Sequence, residues 1–256
     1  MSDLLKGKNI LIMGVRNKWS IARGIAEAAW REGANLIFTY QGDREKESLL
    51  KVTAGMGEIE AYPCDVTNDE AIDLLFSNIK EKHGVLHGLV HAIAYAKSED
   101  LQDSFLNTSR DGFMLAMDVS CYSLVAVSRR ALPLMTEGGS IVTLTYRGSV
   151  KAMQGYNVMG VAKAALEASV RYMALEMGPK NIRVNALSAG PIKTMSGKGV
   201  QNFSDILSVV EERSPLKRNV TLEDLGGTAV YLLSGLSSGL TGEVIYIDCG
   251  YNNVGL

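Results

Sequence analysis

The sequence predicts an α/β fold in which a seven-stranded parallel sheet is covered by helices on both faces. Apolar runs of strand length alternate along the chain with amphipathic stretches of helix length, which is the pattern of βαβ units. The strand runs are nearly continuous in Ile, Leu and Val, as expected for strands buried on both faces. A chain of 256 residues suits one large domain, so we assign residues 1–256 to a single domain. The predicted strands span residues 9–13, 35–39, 59–63, 86–93, 140–145, 183–188 and 244–248.

Three of the helices between these strands are expected to begin with a capping box. In each case a hydroxyl and a carboxylate stand three residues apart, which is the spacing that such a cap requires. The pairs are Thr67 with Glu70, Thr108 with Asp111, and Thr221 with Asp224.

Residues 189–201 interrupt the regular alternation. The stretch contains Gly190, Pro191, Gly197 and Gly199 and has no clear periodicity. A long irregular segment inside a compact domain is usually a lid or a binding loop. We therefore predict a substrate lid over about residues 189–213.

The composition limits the partners and the compartment. The chain has 26 basic and 28 acidic side chains and a formal charge of −2, so it lacks the broad positive field that would bind nucleic acid or an anionic membrane. Cys64, Cys121 and Cys249 are odd in number and include no Cys-x-x-Cys pair, which argues against a disulfide framework or a metal site. The charged N-terminus runs into an apolar segment too short for a signal peptide, so we expect a cytoplasmic protein.

A turn rich in small residues follows the first predicted strand. Gly14 permits a sharp turn, and Ser20 and Ile21 begin the next helix. Gly24 is predicted to let that helix lie close to the strand. The amides and the dipole at a helix N-terminus favour a pyrophosphate, so the segment fits a dinucleotide. It also fits an ordinary strand-to-helix connection with Ser20 as the N-cap.

The second predicted strand ends where many NAD enzymes place a carboxylate against the adenosine ribose. Gln41 stands there instead, and its neutral amide excludes neither NADH nor NADPH by charge. Arg44 is the closest candidate cation for a 2′-phosphate, but Asp43 and Glu45 flank it and would offset part of its field. We therefore expect kcat/KM to be higher with NADH than with NADPH by about tenfold or more, and tenfold corresponds to about 1.4 kcal/mol.

The ends of the third and fourth predicted strands add further candidate contacts. Asp65, followed by Val66, could accept a hydrogen bond from the adenine amino group, although a turn residue ahead of the next helix explains it nearly as well. The small residues around Ile93 would let the backbone approach the nicotinamide ribose. His91 is interpreted as a half-buried strand residue without a role in binding.

Tyr156 and Lys163 lie seven residues apart on the helix predicted after the fifth strand, so both side chains share one stripe of that helix. Beside a dinucleotide site, this pair suggests a phenol that donates a hydrogen bond or proton and a cation that holds ribose and lowers the pKa of the phenol. Two amphipathic side chains on a surface helix are the alternative interpretation.

Five segments spread along the chain carry the signatures of one known family. They are the long turn from Gly14 to Gly24, Tyr146, the string from Tyr156 to Lys163, the stretch 183–192 and the closing motif 241–251. In these segments the sequence resembles the enoyl-acyl-carrier-protein reductases, a divergent branch of the short-chain dehydrogenases. In ordinary short-chain dehydrogenases the acid is a tyrosine four residues before the lysine, and here that position holds Met159. Tyr146 replaces the usual serine, and this pattern separates enoyl reductases from ketone reductases.

The resemblance implies a single Rossmann-type doubly wound domain that reduces the trans-2 double bond of enoyl-acyl-carrier-protein thioesters with NADH. This reaction is the last step of the fatty-acid elongation cycle. Tyr156 would hydrogen-bond the thioester oxygen as it becomes an enolate, and Lys163 would hold the nicotinamide ribose. Tyr146 would position the thioester, with Ala96 and Met159 also at the substrate. The implied cofactor contacts are Gly14, Ser20, Ile21, Gln41, Asp65, Val66, Ile93, Lys163, Ile192, Lys193, Thr194, Met195 and Ser196.

The resemblance also implies partners, namely the acyl-carrier protein that brings the substrate and a homotetramer with helix 155–179 at an interface. Residues 200–205 contain no basic side chain that would suit an acidic carrier. The cations left for docking are Lys193, Lys198, Arg147, Lys217 and Arg218. Two other functions stay open: a reductase of the same fold that acts on a ketone or another activated alkene, and a non-catalytic dinucleotide sensor.

Overall fold

The computed structural model describes residues 3–192 and 203–255, and its sheet confirms the predicted fold. Seven parallel strands form one sheet in the order β3-β2-β1-β4-β5-β6-β7. They are β1 Asn9–Met13, β2 Asn35–Tyr40, β3 Glu60–Pro63, β4 Gly88–His91, β5 Gly139–Thr145, β6 Ile182–Ala189 and β7 Val244–Ile247. Strands β2 and β3 extend the sheet on one side of β1, and β4 to β7 extend it on the other, so the order reverses between β1 and β4.

The helices cover both faces of this sheet. The described α-helices are α1 Ile21–Arg31, α2 Asp43–Val52, α3 Asp69–His83, α4 Ser98–Gln102, α5 Arg110–Met117, α6 Ser123–Ala131, α7 Asn157–Met177, α8 Phe203–Arg213 and α9 Leu222–Leu233. Helices α1, α2 and α9 bury apolar side chains on one face of the sheet, and α3, α5, α6 and α7 bury theirs on the other. Within β1, Ile10 and Ile12 face the α1 side of the sheet while Leu11 and Met13 face the α3 side, as the period of two in a strand requires.

Two of the three predicted helix caps are wrong. Asn68 caps α3 and Ser109 caps α5, each by accepting a hydrogen bond from a backbone amide three residues further on, at 3.0 Å. The hydroxyls of Thr67 and Thr108 donate within the preceding turns instead, at 2.8 and 2.7 Å. Neighbouring polar side chains compete for each cap, and the path of the preceding turn decides which one reaches the helix. Thr221 does form the predicted capping box at α9.

Gly24 brings two helices together, so the prediction that it serves helix-to-strand packing is wrong. A Cβ at Gly24 would lie 2.8 Å from the Cβ of Leu222, the first residue of α9. A Cβ at Gly226 in α9 would lie 2.8 Å from the Cβ of Ala28 in α1. Because glycines stand on both sides of the crossing, the two helices pack at a distance that no side chain would allow.

The helical stretch Arg110–Leu134 contains one π-helical turn, Asp118–Tyr122, between α5 and α6. The stretch is long and apolar enough to cross a membrane, but 56% of its apolar part is buried inside the fold, as in a core helix.

The predicted lid segment has regular structure in the parts that are described. Ala189 is the last residue of β6, and Phe203–Arg213 form helix α8. Residues 193–202 lie outside the described residues. Ile206 of α8 lines the cleft described below, which is consistent with a covering element at this position.

Candidate active site

A cleft of about 730 Å³ lies at the carboxyl ends of the strands, where the sheet order reverses between β1 and β4. Open α/β sheets bind ligands at this point because the loops of neighbouring strands leave in opposite directions. The volume is in the range of cofactor pockets. The predicted contact residues that line it are Gly14, Ser20, Ile21, Gln41, Asp65, Val66, Ile93, Tyr146, Tyr156, Lys163 and Ile192.

Gly14 starts the turn after β1 in a conformation that suits glycine alone. Its φ is +97°, which other residues rarely adopt, and any Cβ would collide with the carbonyl of Ala92 at the end of β4. The turn therefore passes directly over the neighbouring strand, which brings backbone to the floor of the cleft.

Ser20 occupies the N-cap position of α1, but its side chain does not cap the helix. Ser20 Oγ accepts hydrogen bonds from the amides of Arg16 and Asn17, at 3.2 and 3.0 Å. Within the described residues, the amides of Ile21 and Ala22 have no acceptor. These amides and the hydroxyl proton of Ser20 are available to an anion at the positive end of the helix dipole.

Gln41 and Asp65 meet at the ends of β2 and β3. Gln41 Nε2 donates to Asp65 Oδ2 at 3.3 Å, and Asp65 Oδ1 accepts from the amide and the hydroxyl of Thr67 at 3.0 and 2.8 Å. The hydrogen bond from the Thr67 amide lowers the pKa of Asp65, which keeps this side chain a carboxylate at neutral pH. Asp65 thus performs the turn role that the sequence left open, and its contact with adenine stays a prediction.

The structure does not bring Arg44, the candidate cation for a 2′-phosphate, into this end of the cleft. It is exposed on α2 and is not among the residues that line the cleft. Arg16 lines the cleft together with Gln41, and its Nη2 lies 3.6 Å from Glu45 Oε1. Sequence reasoning missed Arg16 because it is distant from Gln41 along the chain, and the pairing of β1 with β2 is what places the two turns side by side.

Tyr146 and Tyr156 form an edge-to-face pair in the wall of the cleft, with ring centroids 5.1 Å apart and ring planes at 68°. Tyr146 follows the last residue of β5, and Tyr156 precedes the first residue of α7. Gly148 lies so close to the Tyr156 ring that a Cβ there would overlap it. Within the described ranges neither hydroxyl has a hydrogen-bond partner, so both are available to a ligand.

The protonation state of Tyr156 follows from its surroundings. Burial raises its pKa, and the neighbouring Tyr146 and Glu167 raise it further. The expectation that Lys163 lowers this pKa is therefore wrong, because burial of the phenol is the largest influence and Lys163 is not among the groups that shift the pKa. At neutral pH Tyr156 is a neutral phenol and a hydrogen-bond donor.

Lys163 reaches the cleft from the second turn of α7. Its side chain is buried, and Nζ donates to the backbone carbonyl of Leu144 at 2.8 Å. Burial lowers the pKa of Lys163 to about 8, against the influence of Cys121 and Glu167, which raise it. Glu167, one turn further along α7, is also buried and accepts a hydrogen bond from the Thr145 hydroxyl at 2.6 Å. At neutral pH Lys163 is therefore an ammonium with two further N–H groups to offer.

His91 is fully buried rather than half-buried as predicted. Its Nδ1 lies 3.2 Å from Thr143 Oγ1 and its Nε2 lies 2.8 Å from Ser123 Oγ. Burial, followed by the nearby Lys163, lowers the pKa of His91 to about 3, so the ring is neutral at physiological pH. It ties β4 to β5 and α6 and is not among the lining residues of the cleft.

Several lining residues could not be found from the sequence. Leu115 and Val119 come from the helical stretch beside the cleft, and nothing in the pattern separates them from core residues. Tyr95, also in the wall, is held by Ser120 of the π-helical turn, whose Oγ accepts from the Tyr95 amide and donates to the Tyr95 carbonyl, both at 2.9 Å. The double contact shows that the π-helical turn positions the loop after β4.

Some predicted residues are not brought to the cleft. Ala96 and Met159 are not among the lining residues, and Met159 is buried. Their contacts with substrate stay predictions. The residues that lie outside the described ranges are Lys193, Thr194, Met195, Ser196 and the docking candidate Lys198.

The three described docking candidates are engaged within the fold. Arg218 pairs with Asp224 at 2.6 Å, and Lys217 Nζ donates to a backbone carbonyl at 2.6 Å. The Arg147 guanidinium lies 4.6 Å from the centre of the Tyr251 ring, which gives this residue a cation–π role that the sequence did not reveal. Their use for carrier docking would require these contacts to be shared or exchanged.

Known proteins are similar to this chain in sequence and in fold over nearly its whole length. An NADH-type enoyl-acyl-carrier-protein reductase of Bacillus subtilis (strain 168) is 52% identical over 254 residues, with 98% of each chain covered. An NADPH-type enzyme of Staphylococcus aureus (strain MRSA252) is 52% identical over 252 residues, again with 98% of each chain covered. The Bacillus cereus enoyl-acyl-carrier-protein reductase solved with NADP+ and an indole naphthyridinone superimposes with a TM-score of 0.97 at 51% identity, with 99% of each chain covered.

A family model described as enoyl-(acyl carrier protein) reductase matches residues 14–252. This match includes the Gly14 turn, the Tyr146 and Tyr156 pair and Lys163, the residues that the fold gathers around one cleft. The chain therefore belongs to the enoyl-acyl-carrier-protein reductase family, within the short-chain dehydrogenases.

Proposed function

We propose that this protein is an NADH-dependent enoyl-acyl-carrier-protein reductase that catalyses the last step of the fatty-acid elongation cycle. The observation that carries the proposal is that Tyr156 and Lys163 share one cleft with the Gly14 turn and the free N-terminus of α1. The turn and the helix end fit a pyrophosphate, and the tyrosine and lysine fit the chemistry at the other end of the same cofactor.

The residues of the cleft suit a reaction in which negative charge appears on a carbonyl oxygen. A nicotinamide held in the cleft would supply a hydride to the β-carbon of the enoyl thioester. The electron pair of the double bond would then shift toward the thioester carbonyl, whose oxygen becomes that of an enolate, and a proton from solvent added at the α-carbon would complete the reduction. Tyr156 donates a hydrogen bond to that oxygen, and its raised pKa keeps the proton in place before the charge develops.

Tyr146 and Lys163 support this arrangement. The Tyr146 ring holds the Tyr156 ring by edge-to-face contact, and its own hydroxyl can position the thioester. Lys163 uses one N–H group on Leu144 and offers the remaining two to the ribose hydroxyls of the cofactor. The ammonium thus places the nicotinamide relative to Tyr156.

The reaction type can be tested directly, because the position that holds the acid in ketone reductases is Met159. Methionine has no proton to donate. With NADH, crotonyl thioester should be reduced and acetoacetyl thioester should not, with kcat/KM values that differ by roughly a hundredfold or more. The loss of NADH absorbance gives both initial rates. Equal turnover, or turnover of the ketone alone, contradicts the assignment, and NADH binding without turnover of either substrate would favour a sensor.

The cofactor and the partner follow from the same proposal. The protein from Bacillus subtilis is named for NADH and that from Staphylococcus aureus for NADPH, so relatives at similar identity differ in this respect. We assign NADH because Gln41 offers no positive charge and the arginine that lines the cleft with it, Arg16, already faces Glu45. The acyl-carrier protein delivers the substrate, and we place the reaction in the cytoplasm.

We also propose that the protein forms a homotetramer through α7 and its neighbouring helices. On α7, Tyr172 and Leu175 are 76% and 77% exposed, and Val161 lies on the same stripe. On the adjacent helical stretch, Met114 is 64% exposed. A run of exposed apolar side chains across two packed helices is typical of a subunit interface.

Light scattering after size-exclusion chromatography tests the assembly. Leu175→Lys places a charge in the proposed interface and should shift the protein from tetramer toward dimer or monomer. Leu74→Lys is the matched control, because Leu74 is 58% exposed on α3, away from the interface. A monomeric unmodified protein, or an unchanged mass for Leu175→Lys, contradicts the proposed interface.

A further inference from the structure

We propose that the ion pair between Arg16 and Glu45 selects NADH over NADPH in this protein, and that Glu45 is the discriminating residue. The inference deepens the proposed function and rests on it, since it requires that the cleft bind a nicotinamide dinucleotide.

The two side chains close the end of the cleft at which β2 terminates. Arg16 Nη2 lies 3.6 Å from Glu45 Oε1, and both residues line the cleft together with Gln41. The hydroxyl of Ser48 donates to the Arg16 carbonyl at 2.5 Å, so the turn after β1 is tied to α2. The ion pair is therefore held between two anchored segments.

The Glu45 carboxylate lies beside Gly42, the residue that follows Gln41. A Cβ at Gly42 would stand 3.2 Å from Glu45 Oε2, which shows that the carboxylate folds back over the start of α2. Its side chain is 28% exposed, compared with 68% for Arg16, so the acid is the more enclosed partner. The carboxylate thus occupies the positive end of the α2 dipole, which would otherwise attract a phosphate.

The charges at this end oppose a 2′-phosphate. Such a group carries close to two negative charges and needs an uncommitted cation held against it. Here the guanidinium of Arg16 is partly neutralised by Glu45, and the same carboxylate would repel the phosphate. NADH presents a neutral hydroxyl at this position, which the Gln41 amide can hydrogen-bond. The ion pair therefore selects NADH by weakening the binding of NADPH.

Dissociation constants for NADH and NADPH, measured by fluorescence titration in the absence of substrate, test this inference. Glu45→Gln removes the negative charge and frees Arg16, so the ratio of the NADPH constant to the NADH constant should fall about tenfold. The double variant Arg16→Met/Glu45→Gln should lose most of that gain, because the cation that would hold the phosphate is gone. Raising the KCl concentration should shrink the gain of the single variant.

Asp43→Asn is the matched control, since it removes the same charge from an exposed residue in the first turn of α2 that does not line the cleft. It should change the ratio less than about twofold. An unchanged ratio in Glu45→Gln, an equal gain in Asp43→Asn, or a gain that persists in the double variant each overturns the inference. If the unmodified protein binds neither dinucleotide, the proposed function itself fails.

Discussion

Replacing Tyr156 with phenylalanine should lower kcat for crotonyl thioester by roughly a hundredfold while leaving the NADH dissociation constant within about twofold. The phenylalanine ring keeps the edge-to-face contact with Tyr146 and the packing against Gly148, so only the hydroxyl is lost. In our proposal that hydroxyl donates to the oxygen on which the enolate charge develops, and donors of this kind act on kcat more than on binding. Steady-state rates together with fluorescence titration of NADH separate the two effects.

Tyr146→Phe is the matched control, because it removes a hydroxyl from the other member of the same pair. Tyr146 positions the thioester in our proposal, so its loss should raise KM and lower kcat by less than the loss in Tyr156→Phe. The pKa of Tyr146 is also raised, chiefly by burial, so neither phenol ionises near neutral pH. If Tyr146→Phe loses more kcat than Tyr156→Phe, the two roles must be exchanged.

The second large effect concerns Lys163. Lys163→Met should weaken NADH binding by more than about tenfold at pH 7, because two charge-assisted hydrogen bonds to the ribose are lost. In the unmodified protein, affinity for NADH should be full below pH 8 and should fall as pH rises through about 8, where the cofactor-free Lys163 gives up its proton. The variant should lack this fall. Titration of NADH fluorescence over a series of pH values measures both.

Stability provides the check that Lys163→Met acts through binding. Burial lowers the pKa of Lys163 from its ordinary value of 10.5 to about 8, so the folded state releases its proton before the unfolded state does. Between these values stability rises with pH, and at pH 7 the buried charge opposes folding. The melting temperature of Lys163→Met should therefore not be lower than that of the unmodified protein.

Lys151→Met, at an exposed position before α7, is the matched control and should bind NADH normally at every pH. Glu167→Gln removes a carboxylate that raises the pKa of Lys163. In this variant the fall in NADH affinity should therefore begin at a lower pH than in the unmodified protein. Unchanged NADH affinity in Lys163→Met would contradict the assigned role.

Local patterns in the chain were enough to predict the strands and two of the polar residues that line the cleft, Tyr156 and Lys163. Most strands are short apolar runs whose burial on both faces is visible in their own composition, and β1 was predicted with the bounds observed. The edge strands β3 and β7 are only partly buried. Gly14 was found because a turn between a strand and a helix needs a residue free of Cβ. Tyr156 and Lys163 were found because they are seven residues apart, and the helical backbone angles of Tyr156, just before α7, keep that spacing close to two helical turns. Both side chains therefore reach the same cleft.

The contacts between distant segments could be obtained only from the folded chain. Arg16 faces Glu45, Glu167 accepts from Thr145, and His91 is sealed between neighbouring elements. None of these relations has a sequence spacing that predicts it, because each depends on which strands pair and how deeply a side chain is buried. The pKa values of Tyr156 and Lys163 depend on the same burial, since the cost of desolvating a charge is set by all the segments that surround it.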